Sequence, residues 1–434
     1  MSLLGSLNAA VGGLNAQSAA LSSISDNVAN SRTVGFKGTN TAFVNYVTQS
    51  DMNTRAPGAV VARPQYTNSL QGAVVQVNSP TSLAVAGGGF FAVQRPIGGG
   101  AFDPQPYYTR VGDFSPNSEG LLINSAGYAL DGWRSLDTAG SAFDVDQIGP
   151  IQISKAPSVP VPTSQLTLAA NLPPALPLGE TSFTSKFQAF DAGGNARDVV
   201  MTWTNPVAAT ATTPASWDLT VDSPLPTPTT LAGPMTLTFG NTPGTAGTVV
   251  SMTGAGQPAA QADGDPATIA LTANFGFGPQ PIALNLGNFG RPNGITQFAG
   301  NEYEVASQTQ NGAPQGNYTS VTVRPTGDVV INYDNGQLAT IARIPLVSFN
   351  NANALQQEDG QAFTATVDSG VPNTISAGSG GTGTLVVGAE EGSNVDIAAE
   401  FTDMIVAQRA YTANTKIVRI TNQLLQDTLN LVQA

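Results

Sequence analysis

The spacing of apolar and polar positions changes period twice along this chain. Near the start, Leu4, Leu7, Val11, Leu14, Leu21 and Val28 fall on alternating steps of three and four, with Ser18 and Ser25 at the two intervening positions. This heptad-like stripe predicts a helix that seats on another helix. Gly5, Gly12 and Gly13 each cost up to ~1 kcal/mol relative to alanine, so the helix needs packing to persist. The last stretch, Ser393 to Ala434, has neither glycine nor proline, and its stripe runs Val406, Ala410, Ala413, Ile417, Ile420, Leu424 and Leu431. Ser393 stands three residues before Asp396 in a capping-box pattern, and Glu400 adds negative charge near the positive end of the helix dipole. Neither helix has a helical neighbour in sequence. The two stripes are therefore expected to bury against each other, or against other copies of the chain.

Between these ends the period drops to two. Residues 82–96, SLAVAGGGFFAVQRP, give strands on both sides of a tight turn or bulge at Gly87–Gly89. No Lys-Ser/Thr follows that glycine triplet, so it is not a phosphate cradle. Residues 120–133, GLLINSAGYALDGW, read as strand–turn–strand, with Gly127 placed for positive φ. Residues 183–204, FTSKFQAFDAGGNARDVVMTWT, read as a hairpin turning at Asp191–Asn195. Prolines cluster from about Ala156 to Pro177 and mark a domain boundary, and a second is expected near Gly287–Gly294. The stretch from Asn205 to Pro234 suggests long exposed loops around one strand at Trp217–Val221. Ser376 to Thr384 reads as flexible.

The fold class that follows is mainly β with terminal α-helices, arranged as nested domains. Residues 1–30 and 393–434 form a paired helical domain, and 31–70 an extended linker. Residues 71–155 and 295–392 form an inner β domain, and 156–294 an outer domain of β-barrel or sandwich type.

Composition narrows the chemistry. Charged residues make up only 10% of the 434, against ~25% in a typical soluble domain. The net charge of −13 argues against nucleic acid, whose phosphates require clustered Lys and Arg, and against a polybasic membrane patch. There is no cysteine and no histidine, which removes disulfides, thiol catalysis and every His-based acid–base mechanism. The N-terminus lacks the basic and apolar regions of a cleaved signal peptide, and no apolar run reaches the ~20 residues that span a bilayer. Paired carboxylates at Glu390–Glu391 and Glu358–Asp359 read as solvated loop charge. No catalytic, metal or cofactor site is expected, and no small-molecule substrate.

Two segments carry a resemblance. SISDNVANSRTVGFKGTNTAF, residues 23–43, is similar to the N-terminal signature of the bacterial flagellar axial proteins of rod and hook, with Asn27, Ala29, Asn30, Thr33, Gly35, Phe36 and Lys37 in register. Asp26 and Val28 depart from the usual Asn and Ile. SNVDIAAEFTDMIVAQRAYTANTKI resembles the C-terminal signature, with Asn394, Val395, Gln408, Arg409, Tyr411 and Asn414 matching. The glycine–Phe-Phe strand and the hairpin after it are similar too. The large central insert resembles hook members, whereas distal rod members lack it.

The resemblance implies a structural subunit, not an enzyme, that polymerises into a flexible tube transmitting torque between rod and filament. It implies terminal helices paired as a coiled coil and ordered on assembly, with Leu7, Val11, Leu14, Leu21, Val28, Val406, Ile417, Ile420 and Leu424 as assembly positions. It implies export through a type III route without a cleaved signal, to the hook outside the cell. The implied partners are other copies of itself, the rod, the hook cap, hook–filament junction proteins and the export apparatus. A rod protein of the basal body and, in a different class, a secreted β-rich adhesin are the alternatives.

Overall fold

The computed structural model describes residues 3–50, 55–210, 213–224, 229–300 and 302–433. The chain is mostly β, with one long helix at each end: α1 (Leu3–Ala29) and α2 (Ile397–Gln433), which pack on each other. Backbone contacts divide it into two units, residues 1–155 with 320–332 and 338–434, and residues 156–319 with 333–337.

In the first unit, α1 is followed by strands β1 (Thr39–Ser50) and β2 (Arg55–Tyr66), an antiparallel hairpin with Thr39 opposite Tyr66 and Val44 opposite Val61. The region expected to be an extended linker is therefore folded at residues 39–50 and 55–66. Alternating β-branched and aromatic residues favour a pleated pair, and the hairpin gains α1 as its covering layer. The unit's main sheet runs through Leu338–Arg343, Ala129–Ser135, Phe91–Gln94, Tyr107–Thr109 and Ala362–Thr364. Phe90, Tyr108, Val347 and Phe363 form a core cluster beneath it, with Phe90 and Phe363 edge to face at 5.7 Å. Gly127 takes φ +86° in the turn between Leu122–Ile123 and Ala129–Ser135, as the sequence requires.

The second unit holds two five-stranded sheets over one core. One sheet follows chain order, Phe183–Phe190, Ala196–Val207, Ala215–Ser223, Thr229–Phe239 and Val249–Thr253. Strict alternation buries Ser185, Phe187 and Ala189 on one strand and Met201 and Trp203 on the next. The other sheet is built on Gln165–Asn171, which pairs parallel with Pro279–Asn288 and antiparallel with Glu304–Gln310. Trp203, Trp217, Phe239, Leu284 and Phe289 share the core between the sheets. Two expectations change here. Asn205 to Pro234 is largely strand among the described residues, because Ser, Thr and Asp occupy the outward positions of buried-face strands. Gly287–Gly294 is a turn inside the unit, which continues to residue 319 and takes in 333–337, since Ile295–Thr296 and Glu304–Gln310 are claimed by Gln165–Asn171.

Candidate assembly site

The two terminal helices meet through small and polar residues, not through the large apolar stripes. On α1 the buried positions are Ala10, Ala16, Ala20, Ile24 and Asn27. On α2, Ala407 and Thr421 are buried, and Met404, Asn414, Val418 and Leu425 are half-buried on the same heptad line. Apart from Ala16, which is two residues from Leu14, both sets lie one residue from the stripes expected from sequence, which turns the helix face by about 100°. Close approach explains the choice. A Cβ added at Gly13 would lie 2.7 Å from Asn414 Nδ2, so the helices approach closely at this point. Hence Val406, Ile417, Ile420 and Leu424 are 61, 44, 59 and 48% exposed, and Val11 is 42% exposed. Leu7, Leu14, Leu21 and Val28 are half-buried on the flank of α1. The side chains of Leu4 and Leu431 lie outside the described residues. α1 has a second partner, the hairpin, where Thr41 Oγ1 lies 3.3 Å from Ser23 Oγ.

The signature residues build a junction that ties both chain ends together. Asn27, buried in the last turns of α1, accepts from Thr39 N–H at 2.9 Å through Oδ1. Its Nδ2 donates to the Thr39 carbonyl at 3.1 Å and to Glu400 Oε1 at 2.8 Å. One amide thus closes the exit from α1 and fastens it to α2. Asn30 Nδ2 donates to the Asp26 carbonyl at 3.0 Å, and the Thr33 hydroxyl donates to Asn30 Oδ1 at 3.2 Å, shaping the turn. Asn394 repeats the logic from the other end. Its Oδ1 accepts from Gly38 N–H at 2.8 Å, and its Nδ2 donates to the Thr67 carbonyl at 3.1 Å. Val395 packs against Gly38, where an added Cβ would sit 3.1 Å from its Cγ2.

At the centre of the junction is a buried ion triad. Lys37 Nζ donates to Glu391 Oε1 at 2.5 Å and to the Leu70 carbonyl at 2.5 Å. Arg110 Nη1 donates to Glu391 Oε2 at 2.8 Å, and Nη2 to the Gly87 carbonyl at 2.8 Å. Gly72 N–H also donates to Glu391 Oε1, at 2.8 Å. Arg110 lies over the Phe90 ring, 5.1 Å from its centroid, while its Nε has no protein partner. Two cations face one carboxylate without solvent. Burial lowers the Lys37 pKa, and the attraction of Glu391 opposes it.

Glu391 is thus a keystone and not the solvated loop charge its sequence context suggested. Gly35 N–H donates to the Glu391 carbonyl at 2.7 Å, and Gly35 holds φ +69° where a Cβ would strike Val111 Cγ2 at 2.7 Å. Phe36 is buried as well. The Thr33–Gly38 segment is pinned through buried Gly35, Phe36, Lys37 and Gly38.

Helix α2 starts one residue after Asp396, whose Oδ1 accepts from Ala398 N–H at 2.8 Å and Ala399 N–H at 3.3 Å. Asp396 is the cap, and Ser393 Oγ accepts from Val395 N–H instead. Ala29 and, on α2, Gln408, Arg409 and Tyr411 are exposed, outside the junction, and Asn414 faces Gly13. Sequence reasoning missed Glu391 and Arg110. The signal for them was Lys37, one of four lysines, set between a glycine and a phenylalanine next to the end of an amphipathic helix.

Four family models match the chain. They are the flagella basal body rod protein over residues 7–37, the flagellar hook protein FlgE/F/G D1 domain over 84–164, the flagellar basal body protein FlaE D2 domain over 163–313, and the flagellar basal body rod FlgEFG protein C-terminal over 386–431. The flagellar hook protein FlgE of Rhizobium meliloti (strain 1021) is 31% identical over 434 residues, covering 99% of this chain and all of that one. That of Brucella suis biovar 1 is 32% identical over 440 residues, with 99% of this chain and all of that one covered. The Escherichia coli K12 hook protein is 28% identical, covering 97% of this chain and 98% of its own length. A crystal structure of Helicobacter pylori flagellar hook protein FlgE2 matches with a TM-score of 0.48 and 12% identity, over 72% of this chain and 98% of that chain.

Proposed function

We propose, for a chain that belongs to the flagellar hook protein family and is a structural subunit of the flagellar hook, that polymerisation runs through the outward faces of its terminal helices. The observation that carries this reading is the one-residue offset. The monomer uses the small-residue seam of α2 for its own fold and leaves Val406, Ile417, Ile420 and Leu424 facing solvent. Ile397, Phe401 and Ile405, on another side of the first turns of α2, are exposed as well. An isolated helix with this much exposed apolar area is under-packed, and burial against other copies would stabilise it by about 25 cal/mol per Å².

In this reading the junction around Glu391 is the rigid base from which the helices enter the tube. The tube joins rod to filament and bends while transmitting torque. The low charge of the chain keeps repulsion between copies small. Export proceeds with an uncleaved N-terminus and the helices unfolded, and their ordering entropy is offset on assembly. The rod, the hook cap and the hook–filament junction are the neighbours at the ends of the tube.

Immunogold labelling of intact cells with antibody to residues 156–290 tests the placement. Label confined to a short segment between envelope and filament agrees. Label only on isolated basal bodies points to the rod, and label scattered over the surface points to an adhesin.

A further inference from the structure

Beside the N-terminal half of α2 the first unit encloses a cavity of about 380 Å³, bounded by α1, β1 and α2. Ala20, Ile24, Phe43 and Ala407 give it apolar walls, and Glu400 and Asp403 stand on its α2 side. No lysine or arginine lines it. Helix α1 contains no basic residue to balance these carboxylates, and neither Glu400 nor Asp403 makes an ion pair among the described residues. Phe43 is half-exposed at the rim, so the cavity is open to the outside.

The complementary surface lies farther along the same helix. Arg409 and Lys416 are seven residues apart, two helical turns, and so share a face, and Arg419 stands on its flank. That face points away from Ala407, Asn414 and Thr421, which turn toward α1. All three basic residues are exposed and none forms an ion pair among the described residues. Ile417, Ile420 and Leu424 are exposed beside them. One chain cannot bring its acidic and basic bands together, because they sit on one straight helix about 20 Å apart along its axis. A second copy displaced by that distance can.

We propose that the cavity receives the basic and apolar face of α2 from a second copy. Lys416 of the partner subunit meets Glu400 and Asp403, and Ile420 of the partner subunit enters between Ile24 and Phe43. This rests on the polymerisation reading and adds a register to it. The charge pattern admits neighbours displaced along the axis and repels an unshifted one, in which acidic band would face acidic band.

The chain has no cysteine, so engineered thiols report only the intended contact. Full-length Asp403→Cys and Lys416→Cys chains are polymerised separately and as a mixture, then oxidised. Crosslinked dimer is expected in the mixture at several times the level of either variant alone. In parallel, Lys416→Glu and Asp403→Lys each slow assembly roughly fivefold, and the two combined in one chain restore it. Polymer that forms without extra crosslinking in the mixture overturns the register while leaving polymerisation intact. Sensitivity to Asp403→Lys that Lys416→Glu does not rescue assigns the cavity to another part of the second copy and also overturns it. Failure of the unmodified chain to polymerise removes the reading on which the inference rests, and the inference with it.

Discussion

Lys37 and Glu391 stand 354 positions apart in sequence and meet at 2.5 Å, with neither side chain open to solvent. Arg110 holds the second oxygen of the same carboxylate. One acidic group therefore fastens the segment leaving α1, the residue that follows strand Tyr107–Thr109 of the main sheet, and the segment entering α2.

Removing it leaves two buried cations without a counter-charge. Glu391→Gln is expected to destabilise the first unit by about 3–5 kcal/mol, whereas the exposed pair Arg291–Asp263 is worth under ~1 kcal/mol, so Asp263→Asn costs little. Chemical denaturation of both variants checks the contrast. Equal small losses would mean that the triad is not the keystone described.

The crossing of α1 and α2 at Gly13 and Asn414 yields a second expectation. Gly13→Val displaces the Asn414 side chain, whose Nδ2 would lie 2.7 Å from the new Cβ, and places two further carbons in the crossing, which lowers the melting temperature. Gly13→Ala with Asn414→Ala clears the contact and gains up to ~1 kcal/mol of helix propensity. Far-ultraviolet circular dichroism during melting reads both. Gly13→Val melting like the parent chain would refute the close crossing.

Asp131 supplies a pH dependence. Burial pushes its pKa from the ordinary 3.8 up to about 7, with a bond from Gln94 acting the other way. Between those two values the folded chain keeps a proton that the unfolded chain has lost. Its contribution to stability is therefore full below about pH 4 and falls as pH rises through 7. Asp131→Asn stays neutral and lacks this loss. The stability of the parent relative to the variant should drop by on the order of 3 kcal/mol between pH 4 and pH 8, measured by urea denaturation. Other carboxylates are common to both proteins and cancel. A flat difference would contradict the assignment.

Much of this architecture was legible in the chain, and what escaped has physical causes. Period two marked the hairpin at Asp191–Asn195, whose strands have one buried face, while the strands around Gly87–Gly89 showed as short apolar runs because consecutive residues there are buried. Period three-and-a-half located both helices. It left open whether the stripes face each other or other copies, since apolar stripes reveal what prefers burial and not what permits close approach. Ala10, Gly13 and Ala20 decide the crossing through their small size, a property that carries no hydrophobic signal. The signatures marked Asn27 and Asn394 as important, but their hydrogen bonds to Thr39, Glu400, Gly38 and Thr67 join segments distant in sequence. Glu391 read as surface charge because its partners are 281 and 354 residues away. The strands between Asn205 and Pro234 were hidden by outward Thr, Ser and Pro positions that resemble loop composition.

The central claim is that the inward seam of α2 serves the monomer and the outward stripe serves the polymer. Sedimentation and electron microscopy of Ile420→Asp under conditions that polymerise the parent chain test it most directly. The account predicts a monomer with the parent's helical content and no tubes. Tubes of normal abundance and diameter from Ile420→Asp would contradict it.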